Sequence, residues 1–544
     1  MSLPNDSFSN SFNSSFSDSP TSSHKTSPSN PLNARAVECI SELLATLGMQ
    51  AEVPLSNWVD GELLAGQGEV IELLDPVTGL PLVAYRDAGS ALVESAVEAA
   101  TRGQQEWMAL TASERGRRMT AAAGALRGHE ETLARLESVV AGKPVRDCRG
   151  EVNKVREMFE YYAGWCDKQH GEVIPVPTSH LNYVRPVPYG VVGQITPWNA
   201  PMFTCGWQLA PALAAGNGVV LKPSEMTPFS SVVLAMLLEN GGLPRGLINI
   251  VNGVGATTGA ALTGHAGISK LVFVGSPESG RRIAQAGAAR LVPSVLELGG
   301  KSANIVFADA RLDDAVAGAQ AAIFAAAGQS CVAGSRLLVQ REVLDVVCER
   351  LARAAGEITV GLPDDDATLM GPVQNARQYQ HITAMLEAAR QQGARVLCGG
   401  SRPDTLPQDA RGYYLAPTVV VDVTPDMAIA QEEVFGPVVV VMPFDTEEDA
   451  VQLANATRFG LAGAVWTQDP ARAHRVAARL RAGTVWINSY KAINVMSPFG
   501  GFGDSGFGRS SGVEGLKEYT VAQSVWVETA TSASVAMGYG NGVG

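Results

Sequence analysis

The sequence lacks the features that would place the protein in a membrane or on nucleic acid. No window of eighteen or more apolar residues is present, so no bilayer-spanning helix is expected. Positive charge is in deficit, with 41 Lys and Arg against 54 Asp and Glu, and the formal charge of -13 repels phosphate backbones and anionic lipid. We therefore expect neither nucleic acid nor a membrane as a partner.

Cysteine is scarce, and its pattern excludes two further classes of protein. The seven cysteines include no C-x-x-C pair and lie at scattered positions: Cys39, Cys148, Cys166, Cys205, Cys331, Cys348 and Cys398. An odd, scattered set argues against a disulfide framework and against a zinc site, so no metal is expected. We expect a reducing, cytoplasmic location.

The two ends of the chain differ in composition from the rest. Residues 1–30 are dominated by Ser, Asn and Pro, which bury too little apolar area to offset the entropy of ordering. We predict a disordered tail over residues 1–33 and a flexible end over residues 529–544. Phe8, Phe12 and Phe16 would form an apolar stripe on a helix and could dock on a partner, although a solvated tail is the simpler interpretation.

Between these ends, 544 residues with 46% hydrophobic content imply two or more domains. From Tyr189 onward, short apolar runs alternate with longer helical patterns, which predicts an α/β fold whose parallel sheet is covered on both faces. A second alternating series runs from about Gly300 to Gly508. We assign residues 34–168 and 188–299 to one domain and 300–508 to another. Residues 169–187 and 513–528 read as β-arms without an obvious sheet of their own, of a kind that pairs between subunits.

Two glycine-rich motifs contain the candidate catalytic residues. GQSC ends at Cys331, and ELGGK begins at Glu297. A thiol in one turn and a carboxylate in another are the parts needed for covalent chemistry on a carbonyl. Taken alone, a single cysteine is more often a buried inert thiol, and a single glutamate is more often part of a salt bridge.

Three further motifs follow predicted strands, where open α/β sheets bind ligands. ITPWNAPM places Trp198 and Asn199 there, although an Asn before Ala-Pro is more often a helix cap. LKPSE offers Lys222 and Glu225 to a ribose. FVGSPESG opens a helix after Gly275 and Ser276, so its N–H groups could hold a pyrophosphate, and ordinary strand-to-helix geometry is the alternative.

Two other glycine-rich segments are weaker candidates for the dinucleotide fingerprint. GFGDSG, from Gly501 to Gly506, follows no strand and precedes no periodic helix, so we reject it. GVGATTG follows a strand and opens a helix, but its third glycine, Gly259, falls one residue late. It could line a cofactor site without being the usual fingerprint.

Taken jointly, the motifs resemble the aldehyde dehydrogenase superfamily over roughly residues 51–528. They occur in the order found in that family: PWNAPM, KPSE, FVGSPESG, ELGGK, GQSCVAGSR, EEVFGPV, NATRFGLAGAVWT and PFGGFGDSGFGR. The resemblance implies that residues 34–168 and 188–299 form a Rossmann-like NAD(P)-binding domain and residues 300–508 a catalytic domain. The β-arms match an oligomerisation arm, which implies a homodimer or homotetramer.

The resemblance also implies a mechanism. The Cys331 thiolate would attack an aldehyde, and the oxyanion would be held by the Asn199 amide and the Cys331 backbone N–H. Hydride transfer to a nicotinamide would leave a thioester, and Glu297 would activate the water that hydrolyses it.

Cofactor contacts carry over by position from the resemblance: Ile195, Pro197, Trp198, Lys222, Glu225, Gly255, Gly275, Ser276, Glu433 and Phe435. Glu225 favours NAD, because a carboxylate accepts a hydrogen bond from the ribose 2′-OH and repels a 2′-phosphate. Some relatives with this glutamate use both cofactors, so NADP stays open.

The resemblance assigns a substrate tunnel to Ala200, Phe203, Thr204, Trp207, Ser330, Val332, Lys491, Ile493 and Phe499. Ala200 and Ile493 are modest in size, so we expect a wide tunnel that accepts a bulky or aromatic aldehyde. Lys491 could attract an acidic aldehyde, although a solvated surface lysine is the simpler interpretation.

Two positions depart from the family pattern. Many relatives carry a Lys and a Glu that relay protons to the general base, and this chain has Gln208 and Ser510 there. The joint absence of the two charges is self-consistent, because the loss of only one of them would leave the other as an unpaired ion. We expect a slower or differently gated deacylation.

Two other functions fit the same resemblance. A CoA-acylating semialdehyde dehydrogenase would share the thiol but needs no strong base, so the retained Glu297 argues against it. A non-catalytic structural relative would be expected to lose the thiol, and Cys331 is present.

Overall fold

The fold is taken from a computed structural model that describes residues 30–51 and 53–531. The first helix begins at Pro31 and is capped by the Asn30 side chain, which accepts hydrogen bonds from the N–H groups of Leu32 and Asn33. The last residues of the predicted tail are therefore helical. The stripe of Phe8, Phe12 and Phe16 lies outside the described residues.

The helices of the described chain are α1 (Pro31–Thr46), α2 (Gly89–Ala109), α3 (Ala112–Gly124), α4 (Glu130–Ala141), α5 (Val145–Ala163), α6 (Pro201–Ala214), α7 (Phe229–Asn240), α8 (Ala260–Gly264), α9 (Pro277–Ala288), α10 (Leu312–Phe324), α11 (Leu344–Gly356), α12 (Ala376–Gln391), α13 (Ala428–Gln431), α14 (Glu447–Asn455), α15 (Pro470–Ala477) and α16 (Gly512–Lys517). None of them is both long and apolar enough to cross a bilayer.

The strands, over the same described ranges, are β1 (Asn57–Val59), β2 (Glu62–Leu64), β3 (Val70–Leu74), β4 (Pro81–Arg86), β5 (Glu172–Ile174), β6 (His180–Pro188), β7 (Val191–Ile195), β8 (Gly218–Lys222), β9 (Ile248–Ile250), β10 (Lys270–Val274), β11 (Ser294–Glu297), β12 (Ala303–Val306), β13 (Arg336–Gln340), β14 (Arg395–Cys398), β15 (Thr418–Val421), β16 (Val438–Phe444), β17 (Ala462–Trp466), β18 (Thr484–Ile487), β19 (Gly506–Phe507) and β20 (Thr520–Glu528).

The first sheet has the strand order β19-β11-β10-β7-β8-β9-β1-β2, and its five central strands are parallel. The side chains of β7 alternate between two apolar cores: Val192 packs with one, whereas Val191 and Ile195 pack with the other. Both faces are thus covered, which explains the continuous apolar run of this strand. The predicted α/β fold is confirmed.

The second sheet has the order β14-β15-β16-β13-β12-β17-β18, and β14 alone runs antiparallel to its neighbour. In β16, Val438 and Val440 pack into one core, whereas Val439 and Val441 pack into the other. This sheet is therefore also buried on both faces.

The two predicted β-arms form a sheet together. Strand β20 pairs antiparallel with β6 along its whole length, from Thr520 opposite Pro188 to Glu528 opposite His180, and β5 adds on the other side of β6. The expectation that these segments lack an obvious sheet of their own was therefore wrong. The division into domains stays a prediction, and β19, from the predicted catalytic segment, pairs with β11 of the first sheet.

Candidate active site

A cavity of about 1030 Å³ brings together side chains from both large sheets. Asn199, from the loop after β7, lines it together with Glu297, at the end of β11, and Cys331, from the loop before β13. Parallel strands place their carboxyl ends at one edge of a sheet, which is where this cavity opens. The three predicted catalytic side chains thus lie in one site.

Asn199 does not cap a helix. Helix α6 begins at Pro201, and its N-cap residue, Ala200, makes no side-chain hydrogen bond. Instead, the Asn199 Nδ2 donates to the backbone carbonyl of Gln329 at 2.8 Å, two residues before Cys331. One hydrogen of the amide fixes its orientation, and the other is left for a ligand.

Cys331 packs against a buried apolar cluster that includes Ala464 of β17 and Trp486 of β18. Burial is the main cause of a thiol pKa that is raised to about 12, and the nearby carboxylates of Glu433 and Glu297 act in the same direction. Among the described residues, the Cys331 backbone N–H donates no hydrogen bond. It is therefore available to an incoming oxygen.

Glu297 is 5% exposed, and neither of its carboxyl oxygens has a hydrogen-bond partner among the described residues. Burial raises its pKa to about 8. Ser510 and Arg509 lie near enough to lower the pKa, without forming a hydrogen bond of normal geometry, and Glu518 raises it. A buried carboxyl that ionises near neutral pH suits a general base.

The two glycines of ELGGK permit close approaches around this centre. A Cβ on Gly299 would overlap the Glu433 carboxylate, and one on Gly300 would lie 2.6 Å from the Cys331 carbonyl oxygen. With no Cβ in the way, Glu433 Oε1 accepts a hydrogen bond of 3.0 Å from the Gly300 N–H. Burial raises the pKa of Glu433 to about 7.

The predicted cofactor residues divide into two groups. Six line the cavity: Pro197, Trp198, Gly275, Ser276, Glu433 and Phe435. The Trp198 and Phe435 rings meet edge to face with centroids 5.4 Å apart. Ser276 caps α9 by accepting from the Ser279 N–H at 3.3 Å.

The other four do not line the cavity: Ile195 and Lys222 end two strands, and Glu225 and Gly255 lie in the segments that follow β8 and β9. Ile195 and Lys222 are register partners at the ends of β7 and β8. The buried Lys222 Nζ donates to the Pro223 carbonyl at 2.7 Å and lies 3.7 Å from Glu225 Oε2. We call this strand-end region, together with Gly275, Ser276 and Glu433, the crevice end of the site.

Eight of the nine residues predicted for the substrate tunnel line this cavity: Ala200, Phe203, Thr204, Trp207, Ser330, Val332, Ile493 and Phe499. The Trp207 ring packs edge to face between Phe203 and Phe499, with centroid distances of 4.8 and 5.2 Å. Lys491 does not line the cavity, and its exposure is intermediate.

Gln208 and Ser510 both line the cavity beside Glu297. Gln208 is 2% exposed, its Nε2 donates to the Ile195 carbonyl at a long 3.5 Å, and its Oε1 has no partner among the described residues. The Trp207 Nε1 likewise lacks a partner within the described ranges. We call the region of Cys331, Glu297, Trp207 and Gln208 the reaction end of the site.

Sequence reasoning missed one wall of the cavity. Helix α5 contributes Asp147, Gly150, Glu151 and Lys154, and α12 contributes Arg377, Gln378, His381 and Met385. The sequence signal for the α5 residues was their helical spacing. That spacing in charged residues is more typical of the solvent-facing side of a helix. Glu151 is held by Lys143, whose Nζ donates to its Oε1 at 2.5 Å.

Comparison with known proteins gives one consistent result. The model of the aldehyde dehydrogenase family matches residues 63–525. An aldehyde dehydrogenase of Aspergillus niger is 41% identical over 493 residues, covering 89% of this chain and 98% of that protein. The crystal structure of PnpE from Pseudomonas sp. WBC-3 shares 43% identity with a TM-score of 0.86, covering 89% and 99% of the two chains. The NAD+ complex of an aldehyde dehydrogenase from Bacillus cereus shares 38% identity with a TM-score of 0.86, covering 90% and 99%.

Proposed function

Because the chain belongs to the aldehyde dehydrogenase family, we propose that it oxidises an aldehyde to a carboxylic acid with NAD, through a covalent intermediate on Cys331. The observation that carries this proposal is the meeting of Cys331, Glu297 and Asn199 in one cavity that continues to the crevice end. A thiol, a base and an amide donor are the set that acyl chemistry requires.

The crevice end fits a dinucleotide. Lys222 is a buried ammonium beside Glu225, a donor and acceptor pair suited to ribose hydroxyls, and the α9 N-terminus with Ser276 suits a pyrophosphate. Trp198, Glu433 and Phe435 continue this surface towards Cys331. Glu225 favours NAD over NADP, because its carboxylate would repel a 2′-phosphate. When bound, the nicotinamide supplies the acceptor for a hydride.

In the first half-reaction, the Cys331 sulfur, as a thiolate, forms a bond to the aldehyde carbon while the C=O π bond breaks, and the carbonyl oxygen becomes an oxyanion. The free hydrogen of the Asn199 amide and the Cys331 N–H donate to that oxygen. One such donor contributes roughly 3 kcal/mol to the transition state. Loss of hydride from the same carbon leaves a thioester on Cys331.

In the second half-reaction, Glu297 takes a proton from water as the water oxygen attacks the thioester. The carbon–sulfur bond then breaks, releasing the acid and returning Cys331 to a thiolate. Glu297 suits this role because both oxygens are free to accept and its pKa is raised to about 8 by burial. Neighbouring Gln208 and Ser510 carry no charge, so we expect the proton to leave slowly and deacylation to limit turnover.

The substrate we propose is a bulky or aromatic aldehyde. The trio of Phe203, Trp207 and Phe499 forms an aromatic wall, and the small Ala200 leaves room beside it. Aromatic walls of this kind favour ring-bearing ligands.

We further propose a homodimer or homotetramer. The β5-β6-β20 sheet presents Val173, Val521 and Trp526 with 70%, 47% and 55% exposure. Apolar side chains exposed on the edge strands of a sheet mark a surface suited to a partner copy. Light scattering coupled to size-exclusion chromatography checks this, and a monomer would contradict it.

The function is tested by following NADH formation from aliphatic, aromatic and acidic aldehydes without CoA, with Cys331→Ala as the control. We expect NADH with at least one class and none from the control. NADH that requires CoA would support the CoA-acylating alternative. No NADH with any aldehyde would support a non-catalytic relative.

A further inference from the structure

The backbone just before Cys331 is left-handed over three consecutive residues. Ala326, Ala327 and Gly328 have φ of 55°, 53° and 71°. Glycine adopts this conformation readily, but the Cβ of an alanine makes it unfavourable. Two alanines keep it only where the surrounding structure imposes it, and such strain recurs at functional sites. We call residues 326–328 the left-handed turn.

Gln329, the next residue, closes this turn. Its backbone N–H and its side-chain Nε2 both donate to the Ala326 carbonyl, at 3.1 and 3.3 Å. Its Oε1 accepts a hydrogen bond of 2.9 Å from the Gln374 N–H. Gln329 is 4% exposed, so water competes little for these bonds. The side-chain amide thus ties the left-handed turn to the segment before α12.

The Gln374 segment is held by two other elements. Gln374 Nε2 donates to the Val140 carbonyl of α4 at 3.4 Å, and its Oε1 accepts from the Asn375 Nδ2 at 2.9 Å. Asn375 Oδ1 caps α12 by accepting from the Gln378 N–H at 2.9 Å. Gln329 therefore binds to a frame that α4 and α12 hold in place.

The left-handed turn also packs closely on a neighbouring loop. A Cβ on Gly328 would lie 1.9 Å from the Gly436 carbonyl oxygen. Gly436 directly follows Phe435, which lines the cavity. Movement of the turn towards this loop is therefore blocked.

The Gln329 carbonyl is the point at which the turn meets the reaction end. It accepts the hydrogen bond of 2.8 Å from Asn199 Nδ2, and the Cys331 N–H lies two residues further along the chain. A shift of this carbonyl would move the Asn199 amide relative to the thiol. Oxyanion donors act through preorganised geometry, and a displacement of about 1 Å can lower a rate about a hundredfold.

We propose that Gln329 is a positioning residue, whose side-chain amide holds the left-handed turn and thereby aligns the Asn199 amide with the Cys331 thiol. The inference rests on the proposed roles of Cys331 and Asn199. Gln329 does not line the cavity, so it acts through these two residues rather than on the aldehyde or the cofactor.

The first test measures the rate constant of the first turnover, from the NADH formed after rapid mixing with saturating NAD and aldehyde. Gln329→Met keeps the size of the side chain and removes its two side-chain hydrogen bonds, so this rate constant should fall about 10–100-fold. The Kd for NAD should stay within about twofold, because the crevice end is unchanged. An unchanged rate constant would overturn the proposal.

Gln320→Met, on α10, is the matched control. It removes one hydrogen bond of 3.1 Å, from the Gln320 Nε2 to the Ala354 carbonyl, away from the cavity. The rate constant of the first turnover should stay within about twofold of the wild type. A loss as large as that in Gln329→Met would overturn the proposal, because any lost glutamine contact would then have the same effect.

A double-mutant cycle separates alignment from a general effect on the fold. If Gln329 acts through Asn199, the rate loss in Asn199→Ala/Gln329→Met should fall short of the product of the two single losses by at least about threefold. Losses that simply multiply would overturn the proposal, because they would show that the two residues act independently.

Hydrogen exchange measures the turn itself, with no aldehyde or cofactor present. A peptide that covers residues 325–334 should exchange at least about tenfold faster in Gln329→Met than in the wild type, while peptides from β7 and β8 should not change. Unchanged exchange over residues 325–334 would overturn the proposal whether or not the enzyme turns over an aldehyde. A wild type that forms no NADH would instead refute the proposed function, and faster exchange would then still support the role of Gln329 in holding the turn.

Gln374→Met keeps the proposal testable if Gln329→Met does not fold. It releases the Gln374 side chain from α4 and from Asn375, so the anchor of Gln329 loosens. The first turnover should then slow by about threefold or more. A first turnover at the wild-type rate, together with unchanged exchange over residues 325–334, would overturn the proposal.

Discussion

The reaction end and the crevice end of the cavity differ in how well their polar groups are satisfied. Within the described residues, both oxygens of Glu297, the Trp207 Nε1 and the Gln208 Oε1 lack hydrogen-bond partners. At the crevice end, Lys222, Ser276 and Glu433 are each hydrogen-bonded to the protein.

Buried polar groups are rarely left unpaired, and each exception calls for a reason. At the reaction end, we propose that water and substrate supply the missing partners during turnover. The crevice end is instead preorganised by the fold. Substitutions at the two ends should therefore separate chemistry from cofactor binding.

The largest effect is expected for Glu297→Gln. Losing the base should lower kcat by about 10²–10⁴-fold, because general-base catalysis contributes on this scale. The Kd for NAD, measured by fluorescence titration, should stay within about twofold. A comparable loss of NAD affinity would contradict the functional difference between the reaction end and the crevice end.

Asn199→Ala comes next. Removing an oxyanion donor should lower kcat by about 10²–10³-fold. Asn199→Asp serves as the matched control, because it keeps the shape but presents an acceptor to the oxyanion and should not restore activity. Full activity in either variant, in a steady-state assay, would contradict the assigned role.

The pH dependence of kcat should report Glu297. Burial raises its pKa to about 8, and the base acts as a carboxylate, so kcat should rise with pH and level off above about 8. Glu297→Gln should lose this dependence. A profile that levels off near pH 5 would contradict a buried base.

The smallest effect is expected at the crevice end. Glu225→Gln removes the charge that disfavours a 2′-phosphate, so the ratio of kcat/KM for NADP to that for NAD should rise roughly tenfold. The kcat with saturating NAD should hardly change, because Glu225 lies away from the reacting atoms. An unchanged ratio of kcat/KM for NADP to that for NAD would contradict the proposed contact between Glu225 and the ribose.

Much of the site was predictable because it follows from short motifs at strand ends. Trp198, Asn199 and Ser276 come directly after buried strands, where the parallel topology gathers them. The α5 wall was not predictable, because Asp147 and Glu151 belong to no motif. They face the cavity because α5 packs on α4 and α6, which fixes its rotation.

The pairing of β6 with β20 could not be predicted either. Asn182 and Trp526 are register partners although they lie far apart in sequence. Such pairing depends on how the chain returns after the second sheet, and no local pattern encodes it. The position of Lys491 depends in the same way on tertiary anchors at Tyr490 and Ala492.

In the proposed mechanism, oxidation proceeds in two steps, with a thioester on Cys331 that Glu297 helps to hydrolyse. Rapid mixing of enzyme with NAD and a turned-over aldehyde measures it directly. We expect a burst approaching one NADH per Cys331 site, followed in the wild type by slower steady turnover. Glu297→Gln should keep the burst and lose the steady phase. Linear NADH formation without a burst in both enzymes would contradict the account.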